Sequence, residues 1–265
     1  MMDNKVIRQL YIALGIIGVL ALLTGCAKKE DSWVKIQEEG VLRIGVDPTF
    51  PPFAVATDGT VEGIDIDLGR ALAGELGLEP RFSHFGYDGL YDALTTGQVD
   101  VLISALVIMP ERTRDIAYTT PYFDAGLYVF IPSNGSPSES VDSLDGSSIA
   151  VELGSLGHVE ALDWQKRAVN LTVLPYAGIA EAMSAAAEGE ADAALVDYVS
   201  GRLYLEGQPD GRNAFTYRPI EDASEPYAIA VRIEDEILLS ELNAALGHLA
   251  ASNQLAAIID KHLGP

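Results

Sequence analysis

Short apolar runs alternate with amphipathic segments along most of the chain. Residues 41–46 are typical of a buried strand, and the Pro-rich turn 47–53 follows them. Leucines recur at four-residue spacing between residues 68 and 76, which predicts one face of a helix that Asp67 is expected to cap. A further strand is predicted at 101–104. This alternation predicts an α/β protein with largely parallel sheets.

A second α/β series follows the loop at 132–137, which is rich in Ser, Gly and Pro. Its predicted strands are 148–153, 171–174 and 193–195, and its predicted helices are 156–168 and 179–188. Residues 97–102 and 189–194 resemble each other, because each segment follows a predicted helix and leads into a strand. Two similar lobes are therefore expected.

The end of the chain is expected to return to the first lobe. Lobe 1 then comprises residues 40–127 and 227–265, and lobe 2 comprises residues 128–226. Strands near 127–131 and 227–231 would cross between the lobes as a two-strand hinge. Such a body encloses a cleft, and ligands are expected there, at the carboxyl ends of the strands.

The first 25 residues have the features of an export signal. Lys5 and Arg8 precede an uncharged apolar run over residues 10–23, whose helical rise of about 21 Å is too short to span a bilayer. Small residues then lead to Cys26, the only cysteine. This resembles a bacterial lipobox, so residues 1–25 are predicted to be cleaved, Cys26 to be lipidated, and residues 26–39 to form a tether. A short anchor or core helix with a chance cysteine is the alternative.

Charge and composition argue against several classes of function. The formal net charge of −22 opposes binding to nucleic acid, which is itself a polyanion. A single cysteine excludes an intramolecular disulfide and a multi-cysteine metal site. Nothing near Asp65 and Asp67 completes the oxygen cage of a metal site, and the sequence has no nucleotide-binding fingerprint, so neither a metal nor a cofactor is predicted.

Arg112 is the first candidate for ligand chemistry. Pro110 predicts a helix start that places Arg112 in the first turn, where the helix dipole disfavours a cation. An anion bound by both the helix start and the guanidinium would explain this arrangement, since arginine can hold a carboxylate with two hydrogen bonds. The alternative is a surface ion pair with Asp115 or Glu111.

The second lobe has a similar helix start at residues 154–157, where Ser155 either serves as an ordinary N-cap or helps to bind an anion. Asp197 follows a predicted strand and can pair with an ammonium group or cap the next helix. Asp47 can also pair with an ammonium group, or it caps its own turn. Phe50 and Tyr87 lie on predicted turns, so they can stack on a ligand or pack in the core.

Taken together, these segments resemble the family-3 bacterial extracellular solute-binding proteins, the polar amino-acid receptors of ABC importers. The resemblance covers nearly all of residues 40–265. Its motifs are residues 42–47 with 50–53, 63–68, 87–90, 97–100, 110–112, 120–122, 191–197 and 225–231. The fold that it implies is the two-lobed, type II periplasmic-binding-protein-like fold, in which each lobe is a mostly parallel sheet flanked by helices.

The resemblance also implies a ligand site. Arg112 would bind an α-carboxylate with help from the backbone at Val107 and the helix start at Ser155 and Leu156. Asp197 would receive an α-ammonium group, with the Ala105 carbonyl and neighbouring Ser104 beside it. Phe50 and Tyr87 would enclose the ligand side chain, and Asp47 would border its far end.

Three positions depart from the family pattern. Val107, Met109 and Leu156 stand where the family usually has hydroxyl residues. The loss of hydroxyl donors at Val107 and Leu156 weakens the expected carboxylate clamp by about 1.5–3 kcal/mol each, and Met109 in place of a hydroxyl N-cap costs about 1 kcal/mol more. Either backbone N–H groups suffice, or the ligand is a modified amino acid or another small organic acid.

The leading expectation is a substrate-binding protein of an ABC importer, monomeric and outside the cytoplasmic membrane, that is lipid-anchored and delivers a small zwitterion to a permease. The alternative from another class is an enzyme, since cyclohexadienyl dehydratases are similar in sequence. Such an enzyme needs a general acid in the cleft, for which Glu152 is the candidate.

Overall fold

The structure is a computed structural model that describes residues 31–57, 59–109, 113–133, 146–167, 170–208, 214–220 and 223–264. The helices are α1 (Trp33–Glu39), α2 (Ile64–Glu75), α3 (Tyr87–Thr95), α4 (Leu156–Lys166), α5 (Ile179–Ala187), α6 (Tyr198–Glu206), α7 (Glu236–Ala251) and α8 (Gln254–Leu263). The strands are β1 (Val41–Val46), β2 (Thr49–Phe50), β3 (Ala54–Thr57), β4 (Thr60–Glu62), β5 (Glu79–His84), β6 (Val101–Val107), β7 (Ile116–Tyr118), β8 (Phe123–Asp124), β9 (Leu127–Pro132), β10 (Ser148–Glu152), β11 (Thr172–Tyr176), β12 (Ala193–Asp197), β13 (Phe215–Pro219) and β14 (Pro226–Arg232).

Each lobe is built around one β-sheet, in which five strands follow one another as hydrogen-bonded neighbours. The first sheet runs β5-β1-β6-β14-β7, with β8 also paired to β14, and the second runs β11-β10-β12-β9-β13. In each sheet three neighbouring strands are parallel, and a long strand, β14 or β9, joins them in the antiparallel direction. The α/β fold is confirmed, and in detail both sheets are mixed. A small antiparallel sheet, β2-β3-β4, follows β1.

The two segments that resemble each other in sequence make equivalent contacts in the two lobes. Asp100 accepts a hydrogen bond from the Arg43 N–H at the start of β1, at 2.9 Å, and its own N–H donates to the Arg43 carbonyl. Asp192 accepts from the Ser148 N–H at the start of β10, at 2.8 Å, and returns the same bond. Gly97 and Gly189 precede them with positive φ. The repeated sequence therefore encodes a repeated turn that joins a helix to a central strand.

Each lobe has its own apolar core. In lobe 1, the layers around the first sheet, Leu42 and Ile44 of β1 pack with α2, α7 and β14. In lobe 2, the layers around the second sheet, Trp164 of α4 covers one face, and Met183 of α5 packs on the other with Phe130. Burial of these faces supplies the main driving force for folding of each lobe.

The two crossings between the sheets are held side by side. Asp124 accepts hydrogen bonds from the N–H groups of Gly126, at 2.9 Å, and Glu225, at 2.8 Å, and from the Ser224 hydroxyl at 2.7 Å. Gly126 is required here, because a Cβ would lie 2.2 Å from the Ala223 carbonyl oxygen. Residues 32–265 form one compact unit, and this pair of crossings is its waist.

The last helix contacts both lobes. Asp260 pairs with Arg202 of α6 at 3.2 Å, while Lys261 and His262 pair with Asp67 of α2 at 2.6 and 2.8 Å. Arg202 is 4% exposed and also stacks on the rings of Tyr198 and Tyr217. The C-terminal turn of α8 thus joins lobe 2 to lobe 1 through adjacent residues.

Two expectations at the level of elements were wrong. Helix α2 begins at Ile64 after Gly63, so Asp67 lies within its first turn and binds α8 instead of capping the helix. Residues 33–39 of the predicted tether form α1, because Trp33 and Ile36, one turn apart, reach the core of lobe 1. Cys26 and residues 1–25 lie outside the described residues. Within the described ranges, no helix combines the length and apolarity needed to cross a membrane.

The hydrogen bonds of Asp124 at the crossings predict how its replacement changes stability. Burial alone raises the pKa of Asp124, but the hydrogen bonds from Ser224, Gly126 and Glu225 outweigh it and lower the pKa below its ordinary 3.8. Replacing Asp124 with Ala leaves the donors unpaired and should reduce the free energy of unfolding by about 1–3 kcal/mol near pH 7. Because the folded-state pKa is lowered, this contribution is lost as pH falls through it. Urea unfolding at several pH values measures both effects.

Asp163→Ala is the matched control. Asp163 forms an exposed ion pair with Arg167 within α4, so its loss should cost less than about 0.5 kcal/mol. The role of Asp124 at the crossings would be contradicted if both variants lost the same free energy of unfolding. It would also be contradicted if the loss in Asp124→Ala were the same at acidic pH as at pH 7.

Candidate ligand-binding site

The carboxyl ends of β1 and β6 bring Asp47 and Ser104 together. The Asp47 N–H donates to Ser104 Oγ at 3.0 Å, and both residues are buried. Asp47 Oδ1 accepts from the N–H and hydroxyl of Thr49 at 3.1 and 2.7 Å. Of the two alternatives for Asp47, the contacts show the cap of its own turn, and this cap fixes the path of the chain toward Phe50.

Ala105 follows Ser104 in β6 and has a positive φ of 45°, which is uncommon for a residue with a Cβ. Its N–H donates to the Tyr122 hydroxyl at 3.1 Å, and that hydroxyl donates to Asp65 Oδ1 at 2.6 Å. A strained residue held by buried hydrogen bonds at a strand end is a feature common at ligand sites.

Phe50 and Tyr87 are half-exposed at this end of lobe 1. Their exposed fractions are 49% and 45%, and Phe50 stacks on buried Phe53 with ring centroids 5.6 Å apart. Tyr87 is the first residue of α3, which follows Gly86. Both rings have the exposure that contact with a ligand requires, whereas Phe53 belongs to the core.

Val107 ends β6 and pairs with Tyr227 of β14. The strand therefore delivers the chain to the predicted anion site at Pro110–Arg112. Residues 110–112 lie outside the described residues, so Arg112 stays a prediction.

In lobe 2, Ser155 is the N-cap of α4 and its hydroxyl accepts from the His158 N–H at 3.1 Å. Leu156 is 60% exposed at the same helix start. Asp197 is likewise the N-cap of α6, where Oδ1 accepts from the Ser200 N–H at 2.9 Å. The capping alternative thus describes the contacts of both Ser155 and Asp197.

These helix starts border one pocket that is open to solvent. Its lining joins lobe 2 to the crossings: Ala125, Gly126, Leu127, Glu152, Ser155, Leu156, Gly157, Ile179, Val196, Asp197 and Glu225. The sequence did not assign Glu225, Ile179 or Val196 to the site, because they come from a crossing, a helix start and a strand that meet only after folding.

Tyr227 connects this pocket with the lobe 1 residues. It lies on β14 and is buried, and its ring packs edge-on against Phe53 with centroids 5.2 Å apart. Burial first, and then the nearby charges of Glu225, Asp197 and Asp65, raise the pKa of the Tyr227 hydroxyl. Asp197 in lobe 2 and Asp65 in lobe 1 thus act on one side chain at the waist.

The part of the chain that the structure describes contains no group of three or more His, Cys, Asp or Glu side chains arranged to hold a metal ion. The chemistry available at the pocket is therefore described by its carboxylates, hydroxyls, helix starts and aromatic faces.

Residues 42–265 match the bacterial extracellular solute-binding proteins, family 3. The chain belongs to this family. It is 29% identical to the L-arginine-binding protein of Pseudomonas aeruginosa, over 92% of this chain and 95% of that protein. It is 30% identical to the lysine/arginine/ornithine-binding periplasmic protein of Escherichia coli, over 87% and 89% of the two chains.

The fold of a solved polar amino-acid ABC transporter substrate-binding protein from Streptococcus thermophilus is similar, with a TM-score of 0.75 and 23% identity over 91% of this chain and 92% of that one. Both curated relatives are binding proteins, and the family-3 chain described here is a substrate-binding protein. The expected resemblance, two-lobed fold and binding role are confirmed, and the family acts outside the cytoplasm.

The close approach of α4 to β12 predicts the effect of a single methyl group. A Cβ at Gly157 would lie 2.5 Å from the Leu195 carbonyl oxygen, so Gly157→Ala must push the helix start away from the strand that carries Asp197. We expect a loss of about 1–3 kcal/mol in the free energy of unfolding, measured by urea denaturation.

Gly247→Ala is the control for glycine replacement. A Cβ at Gly247 meets nothing within 4 Å in α7, so this variant should gain about 0.5–1 kcal/mol. If Gly157→Ala were as stable as Gly247→Ala, the pocket wall would not depend on that contact.

Proposed function

We propose that this protein binds a polar amino acid or a closely related small zwitterion between its lobes and delivers it to an ABC permease. The observation that carries the proposal is the pocket at the waist, where Asp197 and the helix start at Ser155 face the same space. A carboxylate suits an ammonium group, and unpaired helix N–H groups suit a carboxylate. A ligand that bears both charges at short range fits that combination.

The aromatic pair supports an enclosed ligand side chain. Phe50 and Tyr87 are half-exposed, although each ring carries a large apolar surface. A ligand chain placed between the rings would remove this surface from water and gain free energy in proportion to the area buried. Asp47 would border the far end of that chain, as the family resemblance implies.

The carboxylate end is expected to rely on Arg112 and on backbone groups. Val107 and Leu156 provide no hydroxyl donors, while Ser155 has its hydroxyl engaged by the His158 N–H. The free N–H groups at the start of α4 and the guanidinium of Arg112 would then provide the donors. The names of the two curated relatives make L-arginine the first ligand to test.

Attachment to the membrane is proposed from the N-terminal sequence. Residues 1–25 would be removed as a signal, Cys26 would carry the lipid, and the short segment before α1 would link it to a monomeric body. A permanently anchored receptor stays near its permease, which raises its effective concentration there.

Ligand binding can be tested by thermal unfolding of protein freed from copurified ligand, against an amino-acid panel that begins with L-arginine. Asp197→Asn should keep the melting temperature without ligand, because Asn caps a helix as well as Asp. Its affinity for the ligand should fall about tenfold or more, since a hydrogen bond to a charged group is lost. Arg112→Ala should lose the rise in melting temperature that the ligand causes in the wild-type protein.

Asp92→Asn is the control, because it removes the same charge at an exposed position on α3. It should keep wild-type affinity for the ligand. If no amino acid stabilises the wild type, the proposal is wrong. Stabilisation by carboxylic acids without an amino group would favour the alternative of an organic-acid receptor.

Anchoring makes a separate prediction. Cys26→Ser should prevent lipid attachment, so the protein should move from the detergent phase to the aqueous phase in a phase-separation assay, while its unfolding curve stays that of the wild-type body. Mass spectrometry of the wild-type N-terminus should show a lipidated Cys26. An unmodified Cys26, with residues 1–25 retained, would disprove the lipobox assignment.

A further inference from the structure

Asp65 is a buried carboxyl group that the proposed ligand contacts leave unexplained. It lies in the first turn of α2 and is 1% exposed. One oxygen, Oδ1, accepts the Tyr122 hydroxyl proton at 2.6 Å. The other oxygen, Oδ2, is buried and has no hydrogen-bond partner among the residues that the structure describes. Such an arrangement is costly for an ionised carboxylate, so it calls for an explanation.

A directional chain of hydrogen bonds leads from this carboxyl group to the strand end at the candidate site. The Ala105 N–H donates to the Tyr122 oxygen at 3.1 Å, and the Tyr122 hydroxyl donates to Asp65. Ala105 has a φ of 45°, a conformation that is unfavourable for a residue with a side chain. The chain of bonds compensates for this strain and fixes the direction of the neighbouring carbonyl groups.

Two other segments at the site are attached to the same group. The Asp65 N–H donates to the Phe53 carbonyl at 2.9 Å, and the Phe53 N–H donates to the Phe50 carbonyl at 3.0 Å. The Tyr122 N–H donates to the carbonyl of Tyr227 on β14 at 3.0 Å. The aromatic turn, the end of β6 and the strand at the waist therefore all meet at Asp65 and Tyr122.

The pKa of the Asp65 carboxyl group lies near neutral pH. Burial raises the pKa of its carboxyl group to about 7, against the opposing effect of the hydrogen bond from Tyr122 and of the nearby Ala105 N–H. The titratable groups that interact with it are Tyr122, which precedes β8, and Tyr227 on β14. Because the folded-state pKa is raised, Asp65 makes the fold less stable as pH rises from 3.8 toward 7.

We propose that Asp65 is a positioning residue of the ligand site: through the Tyr122 hydroxyl its carboxylate holds Ala105 in the binding conformation, and its protonation weakens ligand binding. The proposal rests on the proposed function for its ligand. The ionised carboxylate strengthens the bond from Tyr122, because charge-assisted hydrogen bonds are the stronger ones.

The test uses L-arginine as the probe, with the pH varied from 5.5 to 7.5, a range in which its guanidinium group and its α-ammonium group both stay protonated. Isothermal titration of the wild-type protein should show the Kd falling about fivefold or more over this range, the size of a typical coupling between two sites. Asp65→Asn should bind weakly at every pH and lose the pH dependence. Tyr122→Phe, which keeps the ring and removes only the hydroxyl, should reduce the pH dependence of the Kd.

Asp235→Asn is the matched control, since Asp235 is also a fully buried aspartate of lobe 1 and binds the Ser32 N–H and Arg232 away from the site. It should lower stability while retaining the pH dependence of the Kd. The same loss of pH dependence in Asp235→Asn would show a general effect of instability and overturn the proposal. A pH-independent Kd in the wild type would overturn it as well.

A second measurement reads the hydrogen-bond chain without ligand. The amide ¹⁵N and ¹H shifts of Ala105 should titrate with a midpoint near 7 in the wild type, and this titration should vanish in Asp65→Asn. If L-arginine bound at no pH, the proposed function would fail for this ligand, and the Ala105 amide would still decide whether Asp65 acts on the strand end. An amide that does not titrate, or that titrates equally in Asp65→Asn, would overturn the proposal.

Discussion

The double crossing of the chain between its two sheets is the constraint on which the rest of the structure depends. Both crossings must pass through one narrow waist, so their backbones lie in contact: Gly126 leaves no room for a Cβ beside the Ala223 carbonyl, and Asp124 binds N–H groups from both crossings. Three polar donors converge on this one carboxylate, which holds the two crossings side by side. Each lobe can therefore complete its core separately, and the surface between the lobes stays available to a ligand.

The site follows from this constraint. In lobe 1, Asp47 follows β1, Ala105 lies in β6 and Tyr87 begins α3, while the helix starts after β10 and β12 bring Ser155 and Asp197 to the pocket that the crossings border. An aromatic series continues through the waist itself. Phe53 contacts Phe123 with centroids 5.1 Å apart, and Phe123 contacts Tyr198 of lobe 2 at 5.6 Å. The residues that would meet a ligand are thus supported by the packing that joins the lobes.

Much of the site could be predicted from local sequence, because strand ends and helix starts carry local signals. Asp197 and Ser155 follow apolar strands and precede amphipathic segments, so they were expected either to cap helices or to bind ligand charges, and the structure shows them as caps at a pocket. Glu225 and Ile179 gave no such signal. Their place at the pocket depends on which crossing and which helix meet there, and contacts between segments far apart in sequence are not encoded in any short pattern.

The sequence alone determined the alternation of strands and helices, the repeated turn at Asp100 and Asp192, and the family, because these depend on hydrophobic period, turn residues and motif spacing. It misplaced the start of α2 and the role of residues 33–39, since tertiary contacts outweighed local capping signals: Asp67 is held by Lys261 and His262 of α8, and Trp33 reaches a core built mainly from later elements. Only the tertiary structure joined Asp65, Tyr122 and Ala105. Their hydrogen bonds link residues at least 17 positions apart, and the burial that raises the pKa of Asp65 exists only once the lobe has folded.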